Sequence, residues 1–534
     1  LDAFEGVAAE AVAGVHPPLL QRLAGAALVR RTEAGRFVMH ELVRRYALGR
    51  LEPRARGELE ARYVAYHVGL LGRLRVELRG EGHAAARRRL VAEVPNLRHA
   101  VEVGLRSGPA ALADAMGPLV AVLSILGHAD EGLGLFARLA DAFAARGDAA
   151  LAARARACQS RMLFAGGRIA EGWELLRPAL PELEASGDEL LQAALCWAAM
   201  TMRLLGDLEA AERHGERALA LAEAAGARGE TADALAVLAL VHEEAGDARA
   251  ALAAAERCAA LRRAEGDAVA AVQADVRVVQ IMTRDLGDLA GAEAVIGPAL
   301  ATARRVGDDR LLGEAVVTAA VVAGQKGDVP AAVALSREAL AIAERLWNVH
   351  HAVIGRSNLA GYLSRLGELD EARELLLGAL ALSRQVGARG AAKQALCLLG
   401  ENARLRRDHL EAVGAYAQAF EAALAIRPVN RSIAQGVSLV AKLHADVGDH
   451  ERAYALSEYL LAEPLAQAPI RALNGQVVEE RRSRLPPARA RAVAAEAATW
   501  DLGRVVTDEV ALLADLRRRL ERSPRAAPQA APRP

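Results

Sequence analysis

Leu235-Ala236-Val237-Leu238-Ala239, followed by Gly246-Asp247-Ala248-Arg249-Ala250-Ala251, decides the fold of this 534-residue chain. An apolar, Ala-rich helical run stops at a Gly, an Asp follows, and a second such run begins. Gly is the usual residue just past a helix end, and Asp suits the start of the next helix. The same punctuation recurs at Gly127-His128, Gly167-Arg168, Gly206-Asp207, Gly287-Asp288, Gly327-Asp328, Gly367-Glu368 and Gly448-Asp449, with Arg407-Asp408 holding the register in the one gap. Successive spacings are 40, 39, 40, 41, 40, 40, 40 and 41. A period that regular means one supersecondary unit stacked many times.

A second Gly follows about 20 residues later in most units, at Gly147, Gly187, Gly226, Gly266, Gly307 and Gly387. The unit therefore reads as helix A, Gly-Asp turn, helix B, Gly turn. Each helix has room for about 17 residues, roughly 26 Å. Five residues past the turn stand only small residues: Gly132, Gly172, Ala211, Ala251, Ala292, Ala332, Ala372, Ala412 and Ala453. Seven residues before it stand mostly Ala, Ser or Gly, such as Ala199, Ala239, Ala360 and Gly400. Small residues at fixed points let helix backbones approach closely, while larger apolar residues fill the space between.

This pattern resembles the tetratricopeptide repeat, clearest in Leu235-x-x-Leu238-Ala239 … Gly246-Asp247 … Ala251 and Leu359-Ala360 … Gly367 … Ala372 … Ala379-Leu380. The usual tetratricopeptide period is 34 residues, so the longer period here implies longer helices. The expected architecture is an all-α, tetratricopeptide-like solenoid of about nine hairpins over residues 110–463. A helical linker (53–109) precedes it, and a helical cap (464–520) and a disordered tail (521–534) follow.

Residues 1–52 do not follow the repeat. Leu19-Leu20-Gln21-Arg22-Leu23 begins a helical stretch. Two β-prone runs, Ala27–Arg31 and Arg36–His40, flank the turn Glu33-Ala34-Gly35 and read as a hairpin, and Glu41–Ala47 shows helical spacing. Helix, hairpin, helix is the order of a partial winged-helix domain. The stretch Leu28-Val29-Arg30 … Arg36-Phe37-x-Met39-His40-Glu41-x-Val43-Arg44-x-Tyr46-Ala47 resembles the winged-helix segment of STAND-type signal-transduction ATPases, common in bacterial LuxR-like transcriptional regulators. Pro95-Asn96-Leu97-Arg98 is similar to the Asn-Leu-Arg helix that follows it in those proteins. Trp500-Asp501-Leu502-Gly503-Arg504 … Glu509-Val510-Ala511 is similar to a segment that follows their repeats. The resemblance implies a sensor or interaction arm that controls an ATPase and, through it, transcription.

The family's nucleotide-binding domain would lie before residue 1. No Gly-x-x-x-x-Gly-Lys-Ser/Thr occurs, and none of the three lysines (Lys326, Lys393, Lys442) follows a Gly. The loop that cradles phosphates and magnesium is thus missing, so no cofactor is expected here, and ATP with Mg²⁺ belongs to an upstream domain. The chain's first residue is Leu1, which reads as a fragment or a trimmed chain.

Lys plus Arg equals Asp plus Glu, 67 each, so no net charge advertises nucleic acid or membrane. DNA binding through the winged helix, whose arginines are Arg30, Arg31, Arg36, Arg44, Arg45 and Arg50, is the alternative that the charge balance disfavours. No run is long and apolar enough to span a membrane, and no signal peptide is present. Cys158, Cys196, Cys258 and Cys397 are far apart and form no CxxC pair, which argues against zinc or disulfides and suits the cytoplasm. His350-His351 lacks further ligands for a metal. No nucleophile–base set can be assembled, so an enzyme is the least supported class. Surface carboxylates read as i,i+4 partners of arginines.

Recognition remains, by the inner groove that helix A lines in such arrays. Its positions map here to Arg161, Trp197, Arg203, Arg277, Arg284, Ser357, Asn358 and Arg404. Arginines there suit a protein or peptide partner with acidic groups, or a small anionic ligand. Asn358 could hold a peptide backbone by its amide. A free-standing scaffold without any ATPase is the alternative reading.

Overall fold

The computed structural model describes residues 3–33, 35–78, 82–346, 349–425, 433–463 and 466–522, without the side chains of Ile125 and His350. Of the tail expected at 521–534, Glu521 and Arg522 instead close the last helix, and the residues from Ser523 onward lie outside the described residues. The chain divides into two compact units, residues 1–274 with 305–308 and residues 275–304 with 309–534.

The first unit opens with β1 (Ala3–Phe4), α1 (Gly6–Ala13), α2 (Pro17–Gly25), β2 (Val29–Arg31), β3 (Phe37–Met39) and α3 (Glu41–Arg50). β2 and β3 pair antiparallel, Val29 opposite Met39, with Gly35 at φ +78° in their turn. β1, two residues that no periodicity announces, adds to the far side of β3 with Ala3 opposite Val38. Next come α4 (Pro53–Glu77) and α5 (His83–Ser107). The Asn-Leu-Arg residues prove to be fasteners. Asn96, 1% exposed, donates from Nδ2 to Ala3 O and to Glu93 Oε2, both at 2.8 Å. Arg36 reaches Glu93 Oε1 at 2.7 Å and also donates to Ala3 O. One amide and one ion pair thereby tie the small sheet to α5. Arg98 grips Glu131, two helices further on, with two bonds.

A short 3₁₀ turn, Pro109–Leu112, leads into the array. Four hairpins belong to the first unit: α6 (Met116–Leu126) with α7 (Ala129–Ala144), α8 (Ala149–Ala165) with α9 (Ile169–Ser186), α10 (Leu191–Leu205) with α11 (Leu208–Ala224), and α12 (Arg228–Ala245) with α13 (Ala248–Ala264). α14 (Ala268–Ile281) and α15 (Leu289–Val306) form the fifth, astride the division. Four more lie in the second unit: α16 (Asp309–Lys326) with α17 (Val329–Arg345), α18 (Val349–Leu366) with α19 (Leu369–Gln385), α20 (Arg389–Leu405) with α21 (His409–Leu424), and α22 (Ala434–Asp446) with α23 (His450–Ala462). Most of these helices run 16 to 18 residues, which accounts for the 40-residue period.

The turns show why the Gly-Asp pair recurs. Gly206 sits at φ +87°, Asp207 N–H reaches back to Met202 O at 3.0 Å, and Asp207 Oδ1 accepts from Ala210 N at 2.9 Å. One residue thus closes the first helix and caps the second. The arrangement repeats at Asp247, Asp328 and Asp449. Where Gly is absent, Arg407 itself takes the left-handed backbone at φ +62°, and Asp408 caps as before. The 41-residue step to Gly287 has its own solution. α14 ends in a π turn, Met282–Leu286, and Asp288 N–H bonds six residues back to Met282 O. The extra residue is absorbed there and the downstream phase is kept.

Packing follows the small residues. Ala211, Ala251, Ala332, Ala372, Ala412 and Ala453 are all 0% exposed. A Cβ on Gly400 would meet the ring of buried Tyr416 at 2.7 Å. Leu139 and Phe136 in the first unit and Leu376 and Phe420 in the second are fully buried. Each such side chain contributes about 1.5–3 kcal/mol. On the outer helices, carboxylates pair across successive hairpins more than along one helix: Arg217 with Glu184 at 2.9 Å, Arg337 with Glu371 at 2.8 Å. The expected i,i+4 pairs occur, as at Arg213 with Glu209, but on these helices the cross-hairpin pairs add to them. A 40-residue step brings the second helices side by side, so a residue 34 positions on is also a neighbour.

Three helices cap the second unit: α24 (Ala468–Ser483), α25 (Pro487–Ala497) and α26 (Leu502–Arg522). α24 lies on α22 and α23, and its start returns to the π turn, where a Cβ on Gly287 would stand 3.6 Å from that of Ala468. α26 packs on α21, adding Val505, Val506, Leu513 and Leu516 to the same core as Tyr416 and Phe420. Glu509, 0% exposed, fastens it. Its Oε2 lies 3.0 Å from His444 Nε2 and its Oε1 2.6 Å from Arg452 Nε. Arg452 in turn lies over the Trp500 ring, 4.6 Å from its centroid. His444 Nδ1 is 3.3 Å from Asp449 Oδ2. Burial alone would lower the His444 pKa, but Asp449 and Glu509 outweigh it and hold the imidazolium up to about 9. Burial would raise Glu509, but His444 and Arg452 hold it below the usual carboxylate range.

Two measurements check these readings. In urea unfolding of the second unit's transition, Arg407→Gly raises stability by about 1 kcal/mol, because a side chain in the left-handed region costs about 1–2 kcal/mol. Gly400→Ala lowers it by about 1–2 kcal/mol, since the clash with Tyr416 exceeds the helix-propensity gain. The pH profile has a defined sign. His444 is raised from 6.5 to about 9 on folding, so its contribution is complete below pH 6.5 and fades as pH climbs to 9. The Glu509 contribution, depressed on folding, is present above its ordinary pKa and fades as pH falls through the lower folded value. The melting temperature of the wild type therefore falls between pH 6.5 and 9, and in His444→Gln that fall flattens.

Candidate functional site: the face of the first helices

In the first unit α6 packs on α8 and α10 on α12, and in the second α18 on α20 and α20 on α22, so these first helices line up side by side. Arg161 on α8 and Trp197 and Arg203 on α10 lie in the first unit; Arg277 and Arg284 at the end of α14, Ser357 and Asn358 on α18 and Arg404 on α20 lie in the second. The residues mapped from the sequence thus fall into two groups.

In the first unit, Arg203 is held by Glu244, Nη1 to Oε2 at 2.6 Å. Trp197 is half-buried between two apolar clusters. Arg161 differs. It is half-buried and stands 5.1 Å from the Phe164 ring centroid, and no carboxylate among the described residues pairs with it. Burial pushes its pKa down. A half-desolvated guanidinium without a counter-charge is costly by itself and gains from an incoming anion.

In the second unit, Arg284 belongs to the π turn and donates from Nε to Gln280 O at 3.3 Å. Arg277 and Asn358 are half-buried. Ser357 is 1% exposed and its hydroxyl finds no hydrogen-bond partner among the described residues, so a ligand reaches it only if neighbours move. Arg404 takes both oxygens of Glu401, at 2.7 and 3.0 Å, and Asp446 at 2.6 Å. Burial alone would lower its pKa, but these carboxylates hold it above the ordinary arginine value.

Beyond Arg404 the face deepens into a cleft of about 330 Å³ between α20, α22 and α24, lined by Arg404, Ser438, Lys442, Asn474, Arg481 and Arg484 among others. Mapping by repeat offset misses most of these, because α24 is not a repeat helix. Lys442 carried a signal: it stands six residues before its turn, as Arg161 does, and is one of only three lysines.

The four cysteines are free and buried, and burial pushes their thiols up, Cys397 to about 12, which leaves them inert as nucleophiles. Among the described residues no three His, Cys, Asp or Glu side chains gather to hold a metal ion. No helix among them is long and apolar enough to cross a membrane. The arginines of the N-terminal sheet and α3 are partly engaged: Arg36 is sequestered with Glu93, and Arg44 and Arg45 pair with Glu41.

A tetratricopeptide repeat family model matches residues 356–386, the end of α18 through α19. No significant match is found among curated proteins. Among solved structures, the chain superposes on a signal-transduction ATPase with numerous domains, a STAND protein with a tetratricopeptide-repeat sensor from Pyrococcus horikoshii, with a TM-score of 0.57 at 16% identity. That match covers 79% of this chain and 61% of that one, so the chain spans about three fifths of its length. A Rap protein complexed with competence and sporulation factor gives 0.48 at 14% identity, over 70% of this chain and 98% of that one, too loose a superposition to bear on function. The chain is an all-α, tetratricopeptide-like solenoid.

The two buried-arginine arrangements separate by substitution. Arg404→Met leaves Glu401, 16% exposed, with Lys442 at 3.5 Å and the Tyr416 hydroxyl at 3.3 Å, and lowers unfolding stability in urea by about 2–3 kcal/mol. Arg203→Met releases the half-exposed Glu244 to solvent and costs less than about 1 kcal/mol.

Proposed function

We propose that this chain is the sensor arm of a STAND-type regulatory ATPase, recognising a protein or peptide segment on the face of its first helices. The observation that carries the reading is Arg161. It is a half-buried cation beside an aromatic ring, without a carboxylate partner among the described residues, on the face that a stacked-hairpin array offers to a ligand. Two further features support it. The residues that resemble the family, Asn96 and Glu509, hold the segments flanking the array in place. The Pyrococcus horikoshii protein with the same solenoid fold is itself described as joining a STAND ATPase to a tetratricopeptide-repeat sensor.

In this reading the arm has two states with respect to an upstream nucleotide-binding domain, and the ligand shifts them only as far as its affinities for the two differ. ATP and Mg²⁺ act in that domain. The residues described here bind and relay.

The natural reading frame upstream of Leu1 tests the switch. A P-loop followed by an acidic strand within the preceding few hundred residues supports it. A start codon close to Leu1 without that motif removes the ATPase and leaves a free-standing interaction scaffold. The groove is tested separately. Arg161→Met and Arg203→Ala together weaken capture of the partner at least tenfold in a pull-down with purified components, while circular dichroism stays unchanged. Undiminished capture rules out the first-helix face of the first unit.

A further inference from the structure

In the second unit the cleft between α20, α22 and α24 contains a cation that the fold does not neutralise. Arg481 is 9% exposed. Its Nη1 is held from behind, by the Ser457 hydroxyl and by Ala453 O at 3.4 Å, both on α23. Among the described residues its Nε and Nη2 find no hydrogen-bond partner, and no carboxylate comes within ion-pair distance of it. The guanidinium lines the cleft. Buried cations are almost always paired, since an uncompensated one costs several kcal/mol. This one is pre-oriented by two fixed acceptors with the rest of its fork left open.

The neighbours strengthen the case. Lys442 lines the same cleft, and its Nζ lies 3.5 Å from Glu401 Oε1, a loose contact, because Arg404 already takes both Glu401 oxygens. Arg484, at the rim, is 3.7 Å from the exposed Glu480. The cleft thus gathers Arg404, Lys442, Arg481 and Arg484 against the carboxylates of Glu401, Asp446 and Glu480, four against three, and the surplus falls at Arg481. Burial presses the Arg481 pKa down, as expected of a guanidinium still lacking its counter-charge. Leu473, Val477 and Ala445 add an apolar wall.

We propose that this cleft is a subsite for one carboxylate of a peptide ligand, gripped by the open fork of Arg481 with Lys442 beside it, and with room against Leu473 and Val477 for an adjoining apolar side chain. The proposal rests on the reading of the array as a recognition arm and gives its ligand a chemistry. The fork matches a carboxylate's two oxygens, and such charge-assisted pairs are about twice as strong as neutral hydrogen bonds. The carboxylate can belong to a chain terminus or to an acidic side chain.

Calorimetric titration of the full chain with three short peptides decides it: Ac-Ala-Leu-Ala with a free carboxylate, Ac-Ala-Leu-Glu-amide, and uncharged Ac-Ala-Leu-Ala-amide. At least one carboxylate peptide binds tenfold or more tightly than the uncharged one, and the tighter of the two identifies a terminus or a side chain. Arg481→Met brings that peptide down to the uncharged level, and its melting temperature is unchanged or raised, because an unpaired buried charge has been removed. Lys442→Met, at a partly exposed site, weakens binding several-fold without disturbing the fold. Equal binding of all three peptides, no binding at millimolar concentration, or wild-type affinity in both variants would overturn the assignment. So would a lowered melting temperature in Arg481→Met with full binding in Lys442→Met, since Arg481 would then be structural. Because the titration uses this chain alone, a missing upstream ATPase leaves its outcome untouched, and its failure leaves the Arg161 face untouched.

Discussion

The left-handed residue after each first helix is the constraint on which the array depends. Without it the second helix cannot fold back on the first, and the small residues five places later and seven places earlier never meet. Only Gly takes that backbone without cost, so the demand is written into the sequence almost without exception. The Asp that follows in six of the nine turns is a weaker demand: its carboxylate serves the orphan amides of the next helix, yet His128, Arg168 and Glu368 stand there without a side-chain cap. At Arg407 the geometry persists with the wrong residue, which shows that the neighbouring hairpins impose the turn and the turn does not rely on Gly alone.

Backbone demands of this kind were legible in the sequence; side-chain destinations were less so. The period, the hairpins and the buried alanines follow from steric rules that act at fixed offsets. Ser357 occupies a groove offset, yet the helix turns it inward. Arg203 and Arg404 occupy groove offsets and are neutralised by Glu244, Glu401 and Asp446, partners about 40 residues away or one turn away that no local pattern links to them. The cleft was missed because α24 has no counterpart in the repeat. β1 was missed because two residues carry no periodicity. The 41-residue step was visible, but that it becomes a π turn depends on how a helix disposes of one residue too many.

Charge is distributed with a consistent logic. On the outer helices arginines pair across hairpins at exposed sites, where each pair adds little to stability but discourages misregistered stacking. On the first-helix face they are more buried, and the pairs there matter more. Arg161 in one unit and Arg481 in the other stand apart as half-buried or buried cations without carboxylates. Both sit where solvent cannot easily supply the missing counter-charge.

Stacked repeats ordinarily behave as one-dimensional chains, in which each unit touches only its neighbours and the ends fray first. The second unit departs from that. α26 packs on α21 and is fastened through Glu509 to His444 and Arg452, while the start of α24 touches the π turn of a hairpin far upstream in the chain. The start of the cap is thereby set against the π turn, and the last described helix against α21, so within the second unit the final hairpin is braced on two sides. A unit braced in this way exchanges the graded pliability of a spring for the all-or-none behaviour of a globular domain.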